Sequence, residues 1–459
     1  MKIKLNKPMI ATILALAWPT MLEQLMQTAV QYIDTAMVGT IGTHATAAVG
    51  ATTTVNWLIN SSISALGVGF LAFIAQAYGA DDQKAASKAV SQAVLVTLIV
   101  GSFFTALTLS LSSVIPVWMQ VDAPIRKLAG QYFFILYLPM LPRTATLIFG
   151  TALRAAGDTK TPMKVGVLVN VVNVVLNFLL IYPSRTLHIF GCDVWMPGAG
   201  LGVIGAAVAS AIAFALGGVR ITAALWRHPM ISPRGISLKP DWGILRPCLK
   251  VAMPNMLQRF GTSLGYVFFA AMINSIGEVA TAAHTIANTV ESAFYIPGYG
   301  MQTAAATLAG NAYGAKDKQR MQDLTAMFIP IEIALMILSG GALFFSARTL
   351  VDIFSDSPDV IHLGTTVLKM VALSEPFYGF SIIIEGMMLG IGNTKRPFAY
   401  NILGMWGIRI VGTFLCTQLL GLGLVAAWGC MIAHNLLIFA LYLYSFVSKT
   451  WNPLEGKTL

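Results

Sequence analysis

The stretch GDTKTP at residues 157–162 returns as GNTKRP at residues 392–397. Three further pairs of segments match at the same offset along the chain. They are LAWPTML (16–22) with VAMPNML (251–257), IGTHATAA (41–48) with IGEVATAA (276–283), and AYGADD (77–82) with AYGAKD (312–317). Four matches at one constant offset indicate an internal duplication, and therefore a fold built from two similar halves.

The composition places both halves in a membrane. Of the 459 residues, 56% are hydrophobic and only 10% are charged, whereas soluble domains carry about 25% charged residues. Twelve apolar runs, each long enough to span a bilayer, follow one another between short loops rich in Gly, Pro, Asp and Lys. They lie at about 9–38, 46–78, 88–115, 128–153, 163–182, 199–225, 245–274, 280–313, 322–347, 363–391, 398–420 and 423–448.

We therefore predict an all-α polytopic membrane protein with twelve transmembrane helices in two six-helix repeats. Residues 1–230 are predicted to form an N-lobe, 231–245 a cytoplasmic linker, and 246–459 a C-lobe. Because each half has six spans, both halves start from the same side of the membrane. The repeats are then parallel, and a central site between them is expected.

The basic residues predict the orientation of the chain. Most of the 29 Lys and Arg lie in the N-terminus, the loops after even-numbered spans and the C-terminus, and no basic domain for nucleic acid is present. The positive-inside rule then places both termini in the cytoplasm. No cleavable signal peptide is expected at MKIKLNKPM (1–9). The four cysteines show no paired spacing, so we predict no disulfide framework and no metal site.

Several motifs resemble the multidrug and toxic compound extrusion (MATE) family. They are WPTMLEQLMQTAVQYIDTAMVG (18–39), AYGA (77–80), LRAAGDTKTP (153–162) and NVVNVVLNFLLIY (170–182). The resemblance covers essentially the whole chain. It implies two six-helix lobes in a V shape, and antiport of organic cations or other amphipathic compounds against H⁺ or Na⁺.

The first span carries two carboxylates, Glu23 and Asp34, in an apolar segment. A charge at mid-bilayer costs roughly 2.5–3.5 kcal/mol even on the mildest scales. At helical spacing these two residues share one face with Gln27 and Gln31, which predicts a stripe that faces protein or a water-filled cavity. Pro19 lies near the same face and is predicted to be a bend point, or hinge.

Asp34 is predicted to be the ion-exchange carboxylate, since intramembrane acids are functional by default and Asp34 matches the family's first-span Asp. The alternative is a structural carboxylate that Gln or Asn partners hold permanently. Glu23 is a second ion-coupling candidate, with an interfacial residue as the alternative.

Asn173 and Asn177, with Asn170, share one face of span five. Their amides could hold Asp34 or coordinate Na⁺, and the alternative is helix–helix packing. The resemblance implies that Asn173 and Asn177 belong to a first-lobe cation site with Asp34. Some family members have Asp where this chain has Asn177, so one carboxylate fewer is available and H⁺ is favoured over Na⁺. Ser210 is a weaker ion-coupling candidate, because Ser is also an ordinary packing residue.

Span eight carries a second polar stripe of His284, Asn288, Glu291 and Tyr295. We predict a second protonation site or a contact with a cationic substrate there, with a satisfied interhelical network as the alternative. Glu375 precedes Pro376, which predicts a broken and solvated helix. The residues predicted to line a substrate cavity are polar and lie within the spans. They are Gln27, Gln31, His284, Asn288, Glu291 and Glu375.

The second lobe departs from one branch of the family. The NorM-like branch is associated with a Glu in span seven and an Asp in span ten, and Thr262 and Tyr378 occupy those places here. We therefore expect the NorM-type second-lobe cation site to be absent and coupling to run through the first lobe.

The function predicted is secondary antiport by alternating access with protonation of Asp34. The alternative is a lipid or lipid-linked oligosaccharide flippase of related architecture, which a basic cavity would indicate. GADDQKAAS (79–87) lacks the basic Gly-Arg motif of major-facilitator transporters, and loops this short leave no room for a catalytic domain. We expect no cofactor besides the coupling ion, a monomer in the lipid bilayer, small cationic or amphipathic substrates, and no nucleic acid partner.

Overall fold

The computed structural model describes residues 7–118, 121, 123–189 and 192–455. The helices of the first half are α1 (Lys7–Gly39), α2 (Thr43–Gly79), α3 (Gln83–Leu111), α4 (Ile115–Trp118), α5 (Ala123–Tyr137), α6 (Met140–Ala155), α7 (Lys160–Leu180) and α8 (Gly202–Arg227). A two-stranded antiparallel hairpin, β1 (Pro183–Ile189) and β2 (Cys192–Ala199), separates α7 from α8.

The second half repeats this order of helices without a hairpin in its described part. Its α-helices are α9 (Trp242–Asn274), α10 (Glu278–Phe294), α11 (Ile296–Gly314), α12 (Lys318–Phe354), α13 (Pro358–Ala372), α14 (Glu375–Gly390), α15 (Lys395–Ile402), α16 (Val411–Phe414) and α17 (Leu424–Val447). Two π-helical segments, Leu403–Ile410 and Leu415–Leu419, flank α16 within one continuous helical span.

The predicted all-helical membrane class is confirmed. Within the described residues, eight helices are long and apolar enough to cross a bilayer, and two bent pairs raise the number to ten if each pair is one span. The pairs are α5 with α6, bent by 49°, and α13 with α14, bent by 52°. The remaining predicted spans fall on α9 and on α10 with α11, and the total of twelve stays a prediction.

The duplication extends to the backbone conformation. Gly157 has a φ of 83° in the first GDTK-type turn, and Gly392 has a φ of 82° in the second. Asp81 and Lys316, in the two AYGA turns, have φ values of 56° and 54°. These left-handed residues end helices in the same way in both halves, so the repeat seen in the sequence is a repeat of local structure.

Three of the predicted spans are interrupted, and proline accounts for each position. Pro139 precedes α6, Pro297 lies in the first turn of α11, and Pro376 lies in the first turn of α14. A proline lacks the N–H that a continuous helix needs, but it is accommodated in a first helical turn. Each interruption therefore lies where a proline stands just before the next helix or in its first turn.

The chain forms two compact units. The N-unit consists of residues 22–70 and 83–245, and the C-unit of residues up to Met21, 71–82 and from Arg246 onward. The beginning of α1 and the end of α2 thus belong to the C-unit. The predicted lobe boundaries at residues 230 and 246 remain predictions.

The C-unit is built on an apolar core to which α1 contributes. Ile13 and Ala17 of α1 are fully buried in a cluster with Met301, Phe380 and Met387. The first turns of α1 are therefore held by the same hydrophobic effect that holds α11 and α14.

Glycines of the AYGA motifs allow α2 and α11 to approach closely within the C-unit. A Cβ atom on Gly79 would overlap the carbonyl oxygen of Asn311, and one on Gly314 would overlap the carbonyl oxygen of Gln76. The side chain of Gln76 also donates to the carbonyl of Gly390 at 3.2 Å. The motif that marks the repeat in the sequence is thus a helix-packing device.

Candidate ion-coupling and substrate site

Asp34 takes part in a hydrogen-bonded chain of side chains in the N-unit. Asn177 donates from Nδ2 to Asp34 Oδ1 at 2.6 Å and to Asn173 Oδ1 at 3.3 Å. Asn173 in turn donates from Nδ2 to Ser210 Oγ at 2.9 Å. Four of the five predicted ion-coupling residues are therefore in one cluster formed by α1, α7 and α8.

The helices approach closely enough for these short side chains to meet. Gly205 of α8 faces the carbonyl group of Leu180, and Gly217 of α8 faces the side chain of Val169. Any larger residue at either glycine would move α8 away from α7. Asn173 and Asn177 are buried, and Asp34 is half-buried.

Glu23, the fifth predicted ion-coupling residue, lies elsewhere. Its Oε2 is 2.6 Å from an Nη atom of Arg154, which belongs to α6. Eleven residues separate Glu23 from Asp34 on α1, which corresponds to about 16 Å along the helix. Glu23 is thus paired with the arginine of the LRAAGDTKTP motif, and its roles as an ion-coupling residue or an interfacial residue both stay predictions.

A buried arginine that the sequence reasoning did not single out lies on α6 of the same unit. Arg143 donates to Asn56 Oδ1 at 2.7 Å, and its guanidinium lies 4.5 Å from the ring centre of Phe214. No carboxylate among the described residues pairs with Arg143. The sequence feature that could have indicated Arg143 is its position inside the apolar run at 128–153.

The remaining predicted residues of α1 differ in exposure. Gln27 and Gln31 are exposed, whereas Pro19 is buried in an uninterrupted α-helix. The boundary between the two compact units crosses α1 just after Pro19, between Met21 and Leu22. A hinge at Pro19 stays a prediction.

The residues of the second predicted stripe, on α10 of the C-unit, differ in burial and in hydrogen-bond partners. Glu291 is buried and accepts a hydrogen bond from Tyr295 Oη at 2.6 Å. His284 accepts one from Trp428 Nε1 at 3.2 Å, and Asn288 is exposed. The stripe also ends where α10 ends, because Tyr295 lies at the break before α11.

Glu375 begins α14 at the bend predicted from Pro376, but the expected solvation is wrong. Its side chain is 0% exposed, and neither carboxylate oxygen has a hydrogen-bond partner among the described residues. Glu332 of α12 is buried in the same way, again with both oxygens unpartnered in the described part of the chain. Gly340 and Gly298 provide the space, since a Cβ atom there would lie 3.2 Å and 3.0 Å from these two carboxylates.

The residues at the NorM-type second-lobe positions contact near neighbours. Thr262 donates to the carbonyl group of Gln258 at 2.9 Å, and the ring of Tyr378 contacts that of Tyr295 at a centroid distance of 5.1 Å. Within the described part of the chain, no group of three or more His, Cys, Asp or Glu is arranged to hold a metal ion.

A family model now connects this arrangement to known proteins. The MatE model matches residues 19–179 and 254–415, one match in each half, and the two matches start at the offset of the internal repeat. The chain belongs to the MATE family of efflux transporters. The predicted resemblance is therefore confirmed, and with it a multi-pass membrane protein of a transporter family.

Relatives and solved structures agree with the family assignment. The probable multidrug resistance protein NorM of Thermotoga maritima is 27% identical over 96% of this chain and 92% of its own length. A protein of the same name from Neisseria meningitidis serogroup A is 22% identical over 91% of this chain and 90% of its own. A MATE transporter solved in an outward-facing conformation covers 97% of both chains with a TM-score of 0.88 and 22% identity, a likeness of fold.

Proposed function

We propose that this MATE protein is a secondary antiporter that exports organic cations, drugs or other amphipathic compounds in exchange for H⁺. The observation that carries the proposal is the chain of hydrogen bonds from Ser210 through Asn173 and Asn177 to Asp34. It joins one intramembrane carboxylate to amides and a hydroxyl on two other helices. Loading that carboxylate therefore changes contacts that hold three helices together.

The direction of these hydrogen bonds supports H⁺ as the coupling ion. Asn177 presents its Nδ2 donor to Asp34, whereas a bound cation would need oxygen ligands directed at it. An amide donor stabilises the charged carboxylate, and it loses most of that interaction when Asp34 takes up a proton. The alternative is Na⁺ held by Asp34, Asn173 and Asn177, and it needs the Asn177 amide to present its oxygen in place of its nitrogen.

The transport cycle follows from this exchange. Protonation of Asp34 from outside removes a charge, and the hydrogen bond from Asn177 weakens. The polar stripe of α1 then repacks, the helix bends at Pro19, and the substrate is expelled. Release of the proton to the inside restores the contact between Asp34 and Asn177.

One coupled proton supplies enough free energy for export of a substrate without net charge, because one charge then moves through ~150 mV and about 3.5 kcal/mol supports a gradient of roughly 300-fold. For a monovalent cation the exchange with one proton moves no net charge, and the pH gradient alone drives it. Acidic side chains within spans favour cationic substrates, because a buried carboxylate is compensated by a cation.

Arg143 supports a second candidate, a lipid or lipid-linked oligosaccharide flippase. This arginine is buried, and none of the described carboxylates pairs with it. A buried cation with that environment would suit an anionic substrate. The two candidates differ in the charge of the substrate and in the need for Asp34.

The deciding experiment is ethidium efflux from energised cells that lack their own pumps, without added Na⁺. Wild type and Asp34→Asn are compared at matched expression, with Glu23→Gln as the control carboxylate on the same helix. Efflux that is lost in Asp34→Asn and kept in Glu23→Gln supports H⁺ antiport through Asp34. Efflux that survives in Asp34→Asn contradicts it and directs attention to Glu291 and Glu375. If wild type fails to export ethidium but transports an anionic lipid, the flippase is supported instead.

A further inference from the structure

The segment between α8 and α9 is fastened along the beginning of α3 in the N-unit. Residues 228–241, here named the strap, contain three prolines and one glycine and form no helix. Gln83 donates to the carbonyl of Pro229 at 3.1 Å, and Ser87 donates to that of Met230 at 3.3 Å.

Further along α3 the same pattern continues. Ser91 donates to the carbonyl of Ser237 at 2.8 Å, and the amide of Gln92 both donates to Lys239 and accepts from the Asp241 N–H at 2.9 Å. Gln83, Ser87 and Ser91 recur every fourth residue and form one face of α3 along which the strap lies, and Gln92 follows directly after Ser91. Its position is thus fixed.

A cavity of about 450 Å³ remains between the strap, the first turn of α3 and the end of α8. This volume is within the ~300–1,000 Å³ range of small-molecule sites. The lining residues are Gln83, Lys84, Ser87, Trp226, Arg227, His228, Pro229, Ser232, Arg234 and Ile236. They include three permanent cations and no carboxylate.

The three cations, Lys84, Arg227 and Arg234, have no described carboxylate within ion-pair distance. The acid of the strap, Asp241, is already paired with Lys88 at 2.9 Å. Burial lowers the pKa of His228 from its ordinary value of 6.5, against the opposing effect of Asp158, and this favours the neutral imidazole. Lys84, Arg227 and Arg234 are exposed and line the same cavity, so they place three positive charges there without a carboxylate among the lining residues. An anion in the cavity would be attracted by all three.

The cavity also lies where spans leave the membrane. Trp226 is next to the last residue of α8, and Trp242, the first residue of α9, is 69% exposed. Tryptophan is enriched at the membrane interface, and basic pockets between helices at the cytoplasmic interface bind lipid head groups. The predicted orientation puts this end of α3 and α8 on the cytoplasmic side.

We propose that the pocket formed by Lys84, Arg227 and Arg234 is a binding site for a phosphate group, and that its ligand is the head group of an anionic lipid. The strap joins the two halves of the chain, so an occupied pocket would hold the start of this connection against α3. This site is separate from Asp34 and does not depend on the proposed antiport.

The test is native mass spectrometry of the purified protein with short-chain phosphatidylglycerol, phosphatidylcholine or inorganic phosphate at matched ionic strength. The pocket variant is Lys84→Gln/Arg227→Gln/Arg234→Gln. The matched control is Lys316→Gln/Lys318→Gln/Arg320→Gln, which removes three exposed cations around the equivalent turn of the second half. Thermal unfolding of both variants without lipid checks that they fold.

We expect wild type and control to retain phosphatidylglycerol in preference to phosphatidylcholine, and the pocket variant to bind it on the order of 100-fold more weakly. An equal loss in both variants would mean general charge attraction and overturn the site. Inorganic phosphate that displaces phosphatidylglycerol at equal concentration would overturn the lipid as ligand. If the triple variant unfolds, Arg234→Gln alone is used, and unchanged lipid binding then overturns the proposal.

Discussion

Asn177 Nδ2 lies 2.6 Å from Asp34 Oδ1, so an amide of α7 donates directly to the carboxylate that the sequence predicted as the ion-exchange residue. The amide of Asn173 continues the chain to Ser210 on α8. A carboxylate held in this way is connected to helix packing, and its loading state can be transmitted to two neighbouring helices.

The identity of residue 177 is expected to set the choice of ion. Asn177→Asp replaces a donor with a second carboxylate beside Asp34, and two carboxylates with the oxygen of Asn173 offer ligands for a cation. Wild-type efflux should be insensitive to Na⁺, whereas efflux by Asn177→Asp should be stimulated by it. The measurement is ethidium efflux at fixed pH with Na⁺ exchanged for choline. Stimulation of wild type by Na⁺ would contradict the assignment of H⁺.

Pro19 is expected to be needed for transport rather than for stability. Pro19→Ala restores the hydrogen bond to the carbonyl of Ala15, four residues earlier in α1, and stiffens the helix. Efflux should therefore fall several-fold while the melting temperature is unchanged or higher. Efflux rate and thermal unfolding are measured on the same preparations. Pro330→Ala, in the interior of α12, is the control and should keep its efflux. Full transport by Pro19→Ala would rule out bending there.

Substitution of an AYGA glycine by a larger residue is expected to destabilise the fold. Gly314→Ala forces a methyl group against the carbonyl of Gln76, and such overpacking costs typically ~1–3 kcal/mol. Gly341→Ala is the control, because nothing lies within 4 Å of its Cβ position in α12, and it should be neutral or stabilise by about 0.5–1 kcal/mol. Thermal unfolding in detergent compares the two. A Gly314→Ala variant as stable as Gly341→Ala would contradict the close packing.

The ion pair of the strap predicts an acid-sensitive connection. The hydrogen bond from Lys88, followed by that from the Gly243 N–H, holds the pKa of Asp241 below its ordinary value of 3.8. A carboxyl with a lowered folded-state pKa stabilises the fold fully above its unfolded-state pKa, and this contribution is lost as the pH falls through the folded-state value. Hydrogen exchange of residues 228–241, corrected for intrinsic rates, should therefore be constant at neutral pH and increase below about pH 4. In Asp241→Asn the exchange should be faster than in wild type at neutral pH, and the two proteins should become alike at acid pH. Equal protection of the two proteins at pH 7 would show that the ion pair does not hold the strap.

The sequence alone determined the features that depend on local pattern. Hydropathy located the spans, and the constant offset between matching segments established the duplication, which the paired φ values of Gly157 and Gly392 reproduce. Helical spacing put Asp34 on a polar stripe, and the resemblance named Asn173 and Asn177 as its partners. These inferences succeed because a helix period and a bilayer thickness act on every span in the same way.

Only the tertiary structure decided which distant residues meet. It pairs Glu23 with Arg154, leaves Glu332 and Glu375 without partners among the described residues, and brings Cys416 and Cys430 to 3.8 Å, a proximity that their spacing in the sequence did not indicate. For Cys192 the structure describes the backbone of β2 and not the side chain. The contacts of the strap with α3 could not be predicted from the sequence either, since they join residues that no periodic pattern relates. Such contacts depend on how helices pack, and packing is set by the combined shape of many side chains rather than by any short pattern.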